Sequence, residues 1–342
     1  MFSGAICVPD FGDCLALERR VAVVTGGTRG IGLAVAEGLV ERGLTVVVVG
    51  SDAQQGVRAV EQLRRARLAS RRGNETADPH FMQADLSSIS AIGELGRSIE
   101  RRHPAVHYLI HNAAVVTAHR SLTVDGIESQ MMVNHLAPYL LTRQLMGALD
   151  QAECARIIVT SSQVERGAQL DLDDLNHERR HEGTQVYAAT KLANLFFCYS
   201  LARRLALRSA DPGPGPSRPT ITVNALHPGV VRTRLLDHLL DHAPRSPLAQ
   251  AFDSLRTGVG HVLRRVGALP PVATDWALSP TEGAQTTLAT ALDGELKGVS
   301  GQYFSELHSR ESSSQSHDES LQEALWHASA RLLGVGADWP SR

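Results

Sequence analysis

The sequence predicts an α/β protein built on a doubly wound parallel sheet, and three observations predict it. Short β-branched runs such as VAVVT (Val21 to Thr25) and VVVV (Val46 to Val49) are apolar throughout, as strands buried on both faces must be. Segments of helical periodicity lie between such runs, and glycines mark the first junction. Hydrophobic residues make up 43% of the 342 positions but aromatic residues only 4%, so aliphatic strands and helices have to supply the core.

The elements follow in order. VAVVTGG (Val21 to Gly27) predicts a strand and tight turn, and a helical pattern continues to Arg42. VVVV is the second strand, a charged helix runs from about Ala53 to Arg72, and FMQAD closes the third strand at Asp85. VHYLI (Val106 to Ile110), a long helix around Ser121 to Leu149, RIIVT (Arg156 to Thr160), a helix from Tyr187 to Leu207 and TITVNAL (Thr220 to Leu226) complete the alternation. Alternating strands and helices imply right-handed crossovers and a parallel sheet. SADPGPGPSRP (Ser209 to Pro219) is too rich in proline and glycine for a helix and predicts a surface loop. HSRESSSQSHDES (His308 to Ser320) predicts an exposed connection to a last helix, Leu321 to Leu333, that covers the sheet. The expected organisation is an N-terminal extension (1–18), one domain (19–335) with a helical substrate lid at about 234–270, and a tail (336–342).

A net charge of −2 argues against a nucleic-acid partner, which needs a basic surface, and favours a small molecule. Cys7, Cys14, Cys154 and Cys198 have neither disulfide-scaffold nor metal-ligand spacing. His177 with His181 and His238 with His242 are spaced four apart, but without carboxylate or cysteine company they predict solvated loop histidines and no metal. MFSGAICVPDFGDCLALE at the N-terminus predicts neither a signal peptide nor a membrane anchor.

The turn Thr25-Gly26-Gly27-Thr28-Arg29-Gly30-Ile31-Gly32 lies where a doubly wound sheet binds ligands. Glycines there let the backbone approach a pyrophosphate, and the helix after it aims free N–H groups and a positive dipole at the same charge. The choice of nicotinamide depends on charge beside the adenosine ribose. Gly50 occupies the position where a ribose-binding carboxylate usually stands, Arg29 offers a guanidinium to a 2′-phosphate and Ser51 a hydroxyl, while Asp52 opposes them. The expectation is NADP and NAD both, with NADP favoured electrostatically.

Tyr187 and Lys191, four apart at a helix start, share one face. A free tyrosine ionises near pH 10, and a neighbouring ammonium stabilises its phenolate for proton transfer. Ser162 ends the strand RIIVT and can bond a reacting oxygen; Asn134 can fix a water leading from Lys191 to solvent. A Y-x-x-x-K pair alone is commonplace on helix faces. Its order and company decide: glycine turn, Asp85, Asn112-Ala113-Ala114, Asn134, Ser162, Tyr187, Lys191, then His227-Pro228-Gly229-Val230-Val231-Arg232-Thr233.

In these residues the chain resembles the short-chain dehydrogenase/reductase family from about residue 19 onward. The resemblance implies a Rossmann-type fold and a catalytic set of Tyr187, Lys191, Ser162 and Asn134. It implies cofactor contacts from Thr25, Gly26, Thr28, Arg29, Gly30, Ile31, Gly32 and Ser51, from Asp85 and Leu86 at the adenine, and from Asn112 and Ala113 at the central strand. Tyr187, Lys191, Pro228, Gly229, Val231 and Thr233 would complete them on the nicotinamide side. His111 stands where the family commonly has a second asparagine. DLDDLNHE (Asp171 to Glu178), YAATKLANLFF and GVSGQYF resemble the retinol-dehydrogenase-like branch, whose usual substrates are lipid alcohols and aldehydes. RVAVVTGGTRGIG, Gly50 and HPGVVRTRL resemble its polyprenol-oxidising members, implying oxidation of polyprenol to polyprenal, reduction of dolichal to dolichol, and a lipid-droplet or endoplasmic reticulum location. The apparent lack of an anchor leaves a secreted or cytoplasmic location open. Retinoids or steroids are the alternative substrates, and a non-catalytic nucleotide-binding or secreted signalling protein is the alternative class. Phe252, Leu255, Val259, Val262, Leu263 and Val266 form an apolar stripe flanked by Arg256, His261, Arg264 and Arg265. It predicts either a lid packed on the domain or a helix lying on a membrane or lipid droplet.

Overall fold

The computed structural model describes residues 20–70, 78–210, 220–242 and 277–340. The elements of interest are strands β1 (Val21–Thr25), β2 (Thr45–Gly50), β3 (His80–Gln83), β4 (Tyr108–His111), β5 (Cys154–Thr160), β6 (Thr220–His227), β7 (Tyr303–Ser305) and β8 (His308–Arg310). They form one eight-stranded sheet in the order β3-β2-β1-β4-β5-β6-β7-β8. Every pair is parallel except β7–β8. The order reverses between β1 and β4, so the crevice for a ligand opens beyond their carboxyl ends.

Along β1, side chains alternate between two apolar layers, Val21 and Val23 in one and Ala22 and Val24 in the other. The second layer holds α1 (Gly30–Val40), α2 (Ala53–Ala69) and, from late in the chain, α9 (Pro280–Leu292). Gly38 lets α1 close onto α9, since a Cβ there would lie 2.5 Å from Leu288 Cδ1. Ser279 and Glu282 form a capping box at the start of α9, and Arg156, buried on β5, bonds the carbonyls of Thr290, Ala291 and Asp293 at its other end.

The opposite layer carries α3 (Ile89–Arg102), α4 (Ser129–Met131), α5 (Ala137–Gln144), α6 (Met146–Asp150), α7 (Gly183–Ala210) and α10 (Glu319–Leu332). Three sequence expectations change here. The helix expected from Ser121 begins only at Ser129, because Thr123 to Gly126 closes a tight turn with Gly126 at φ +74°. A π-turn, Met132–Leu136, then joins α4 to α5. α7 starts at Gly183 rather than Tyr187, so Tyr187 stands a full turn inside it. Gly183 is packed on the Thr117 carbonyl, 1.8 Å from where a Cβ would be.

The third change concerns the serine-rich segment expected to be exposed. His308–Arg310 adds an antiparallel edge strand, and Ser312, Ser313 and Ser316 are buried. α10 packs on α7 rather than on the sheet itself, through an aromatic cluster of Trp326, Phe197, Tyr139 and Trp339 in which Trp339 Nε1 donates to the Tyr139 hydroxyl at 2.8 Å. No described helix is long and apolar enough to cross a membrane. Of the expected lid, only α8 (Arg234–His242) is described; the Phe252 to Val266 stripe, the loop residues 211–219 and residues 1–19 lie outside the described residues.

Candidate active site

The crevice between β1 and β4 is built from backbone. Gly26 (φ +64°) and Gly30 (φ +55°) hold conformations that side chains disfavour. A Cβ on Gly32 would meet the Gly26 carbonyl oxygen at 2.3 Å and Asn112 Nδ2 at 2.4 Å. Asn112 donates to the carbonyls of Thr25 (3.1 Å) and Gly26 (3.3 Å), and the Thr25 hydroxyl accepts from the N–H groups of Asn112 and Ala113. These bonds lock the end of β4 to the turn after β1. The first turn of α1 has no side-chain cap and no acidic residue, so its N–H groups point outward uncompensated. Thr28 lies in that turn and Ile31 half-buried in the first turn of α1.

Around the ribose position, Gly50 packs under Thr28, whose Cγ2 lies 2.9 Å from the place of a Cβ. Ser51 and Arg29 are exposed, and the Arg29 guanidinium has no hydrogen bond or ion pair among the described residues. Asp52 does not face a ribose as a free acid. It caps α2, accepting from Gln55 N at 3.0 Å and Gln55 Nε2 at 2.9 Å, and the backbone bond holds its carboxyl below the usual range. Asp85, exposed, accepts from Ser87 N at 2.9 Å beside buried Leu86. On the far side Gly229 (φ +86°) follows Pro228, Val231 bridges to Leu278, and the Thr233 methyl lies 3.4 Å from the place of a Gly30 Cβ. Thr233, distant in sequence, is thereby brought to the phosphate turn.

Across the sheet, α7 presents Tyr187 and Lys191, 5% and 1% exposed. Lys191 Nζ lies 5.3 Å from the Tyr187 ring centroid and donates to the Thr160 carbonyl at 3.1 Å; it has no carboxylate partner among the described residues. Burial pushes Lys191 down to about 7 and pushes Tyr187 above its ordinary value. The sequence led us to expect a phenol made more acidic by the lysine. In the protein alone burial raises its pKa instead, and the buried phenol keeps its proton.

Asn134 is tied to the loop after β4 and to α7. Its side-chain Oδ1 accepts from Val115 N at 2.8 Å, and Nδ2 donates to the Val115 carbonyl at 2.9 Å and to Thr190 Oγ1 at 3.1 Å. It braces the loop after β4 against α7. Pro138, four residues on, has no N–H to offer the Asn134 carbonyl, so that oxygen lacks its α-helical donor. Ser162 lies two residues beyond β5 in extended conformation, part-exposed, with no hydrogen bond from its hydroxyl among the described residues.

Sequence reasoning missed Thr160, Thr190 and Ser161. Thr160 and Thr190 hold Lys191 and Asn134 as described, and Ser161 Oγ donates to the Lys191 carbonyl at 2.8 Å. Thr190, one turn beyond Tyr187 on the same face, was the one with a readable signal. His177 and His181 are half-buried, not solvated; His181 Nε2 lies 3.5 Å from Glu128, whose carboxylate is fully buried. Among the described residues no group of three or more ligating side chains could hold a metal.

A phosphate-binding turn at the switch point of a doubly wound sheet, facing a buried tyrosine–lysine pair, defines a dinucleotide-dependent oxidoreductase. The pattern described as short chain dehydrogenase matches residues 20–243, and the chain belongs to that family, whose members bind NAD(P) and act on CH–OH groups. It is 32% identical to polyprenol dehydrogenase of Danio rerio over 98% of this chain and 92% of that protein. It is likewise 32% identical to retinol dehydrogenase 14 of Homo sapiens, over 95% and 89%. Among solved structures, an uncharacterised protein from Mycobacterium paratuberculosis shares the fold, with a TM-score of 0.67 at 23% identity, covering 95% of this chain and 98% of that one.

Proposed function

We propose that this enzyme interconverts a lipid alcohol and its carbonyl compound, oxidising polyprenol to polyprenal and reducing dolichal to dolichol, with both NAD and NADP. The observation that carries the chemistry is the buried Tyr187–Lys191 pair, with the lysine held by the Thr160 carbonyl and free of any described carboxylate.

A nicotinamide dinucleotide fits the crevice. Gly26, Gly30 and Gly32 leave backbone exposed where a pyrophosphate would lie, against the uncapped start of α1. Arg29 and Ser51 would take a 2′-phosphate, and the absence of a side chain at Gly50, with Asp52 engaged in capping, leaves a 2′-hydroxyl tolerated as well. Asp85 and Leu86 would meet the adenine, and Asn112, Ala113, Pro228, Gly229, Val231 and Thr233 would line the nicotinamide side. The bound dinucleotide supplies or accepts the hydride.

The rest falls to the chain. In reduction, Tyr187, protonated because it is buried, donates its proton to the carbonyl oxygen. In oxidation the phenol must first ionise, and the Lys191 ammonium, 5.3 Å from its ring centroid, lowers this cost. Ser162, its hydroxyl uncommitted, bonds the reacting oxygen and orients it toward Tyr187. The Asn134 carbonyl accepts from a water on the path by which Lys191 exchanges protons with solvent.

The polyprenol assignment is supported by the Danio rerio relative, and retinol stands as a second reading because retinol dehydrogenase 14 is equally similar. Contact with a lipid droplet or reticulum surface through the 234–270 segment belongs to the same proposal. The test is purified protein incubated with polyprenol, dolichal, retinol and a hydroxysteroid under NAD and NADP separately, following absorbance of the reduced nicotinamide. Turnover of polyprenol with both cofactors is expected. Turnover of retinol alone would transfer the assignment to retinoids, and failure on polyprenol with either cofactor would remove the polyprenol reading.

A further inference from the structure

We propose that Glu165 is a positioning residue for Ser162, held in place by a strap that the C-terminal segment 311–317 draws across the end of β5. The proposal rests on the reading that the Ser162 hydroxyl bonds the reacting oxygen.

The backbone connection is direct. Ser162 opens a 3₁₀ turn, Gln163–Gly167, in which Glu165 N–H donates to the Ser162 carbonyl at 3.1 Å. With no side-chain partner among the described residues, the Ser162 hydroxyl is aimed only by the backbone that carries it. What fixes that turn fixes the hydroxyl.

The turn is fixed from the far end of the chain. Glu165 is completely buried, and its two carboxyl oxygens accept separately from Ser313, one from the backbone N–H at 2.9 Å and one from the hydroxyl. Gln315 Nε2 donates to the Ala168 carbonyl at 2.8 Å, and Arg166 donates to the Glu311 carbonyl. One residue along the strap, Ser312 Oγ bonds the Tyr199 hydroxyl at 2.7 Å, Ser316 Oγ at 2.6 Å and His317 Nε2 at 3.1 Å. Tyr199 belongs to α7, the helix that bears Tyr187 and Lys191. The strap therefore grips both the turn that aims Ser162 and the helix that carries the proton donor, and sets one against the other.

A buried carboxyl is a costly way to obtain stability alone, since an apolar side chain of similar size packs there without desolvation. Burial indeed raises the Glu165 pKa against the Ser313 bonds. Bidentate bonding to a single residue confers direction, which is what a group acting through Ser162 requires.

The experiment is a double-mutant cycle on the full-length protein, reading kcat and nicotinamide KM with polyprenol, or with retinol if only that alcohol is turned over. Misplacing a reacting group by about 1 Å costs up to roughly a hundredfold in rate. Glu165→Ala is therefore expected to lower kcat about tenfold or more, with nicotinamide KM within about twofold of wild type. Glu165→Gln, which can still bond both groups of Ser313, should recover most of the rate, and Ser313→Ala, the milder change if Glu165→Ala fails to fold, should cost about threefold. In a Ser162→Ala background these substitutions should have no further effect on kcat. Equal losses in both backgrounds, or no loss in either, overturn the positioning role. Wild-type kcat for Ser162→Ala alone would overturn the reading of Ser162, and the proposal with it.

Discussion

Replacing Lys191 by methionine should stabilise the folded protein while abolishing turnover, and the structure sets the size of the effect. Burial lowers the Lys191 pKa from 10.5 to about 7. At ~1.4 kcal/mol per pKa unit, an ammonium held there below pH 7 costs about 5 kcal/mol relative to the unfolded chain. The lost hydrogen bond to the Thr160 carbonyl offsets about 1 kcal/mol, and that carbonyl keeps its bond from Asn194 Nδ2 at 3.2 Å, so no acceptor is orphaned. Methionine fills a similar volume.

The sign follows from proton counting. Between the folded value near 7 and the unfolded value of 10.5 the unfolded chain binds the extra proton, so the wild-type penalty is full below pH 7 and fades as pH rises through that window. The variant's advantage should therefore be about 4 kcal/mol at pH 6 and about 1 kcal/mol at pH 9. Chemical denaturation of the cofactor-free proteins at those two pH values measures it. Destabilisation at pH 6, or an advantage that does not change with pH, would refute the claim that an uncompensated ammonium is buried beside Tyr187.

Three other perturbations follow from the same geometry. Gly32→Ala drives a methyl into the Gly26 carbonyl, a backbone atom that cannot swing aside; nicotinamide Kd measured by fluorescence quenching should rise at least about 30-fold, an effect of about 2 kcal/mol. Gly50→Asp places a carboxylate beside Thr28 and the ribose site, so KM for NADP should rise about tenfold while KM for NAD changes little, as steady-state kinetics with each cofactor will show. Arg156→Met removes three bonds to the carbonyl end of α9 and should lower unfolding stability by about 2–4 kcal/mol with KM unaltered, read from denaturant midpoints and initial rates.

Much of this architecture is written locally. β1, the glycine turn and α1 are legible because their apolar period and glycines specify strand, turn and helix without distant help. Tyr187 and Lys191 are legible because four residues on a helix bring them to one face. Asp52 was open to a fuller reading, since Asp followed three residues later by Gln is a helix-capping pattern, and the structure shows that cap. Other features depend on partners far away in the chain. The segment from His308 to Ser320 has the composition of an exposed loop, yet Ser312, Ser313 and Ser316 are buried because Glu165, Tyr199 and one another satisfy their hydroxyls. Within the π-turn, the Asn134 side chain is held by Val115 and Thr190, both distant in sequence. The raised pKa of Tyr187 comes from burial by the whole fold, which a four-residue spacing does not encode.

The central claim, that Tyr187 transfers the proton while a lipid alcohol exchanges hydride with a nicotinamide, is tested most directly by Tyr187→Phe. Removing one buried hydroxyl should leave the fold and nicotinamide Kd at wild-type values and lower kcat for polyprenol oxidation and dolichal reduction by at least about a hundredfold. Turnover at the wild-type rate in that variant would contradict the account.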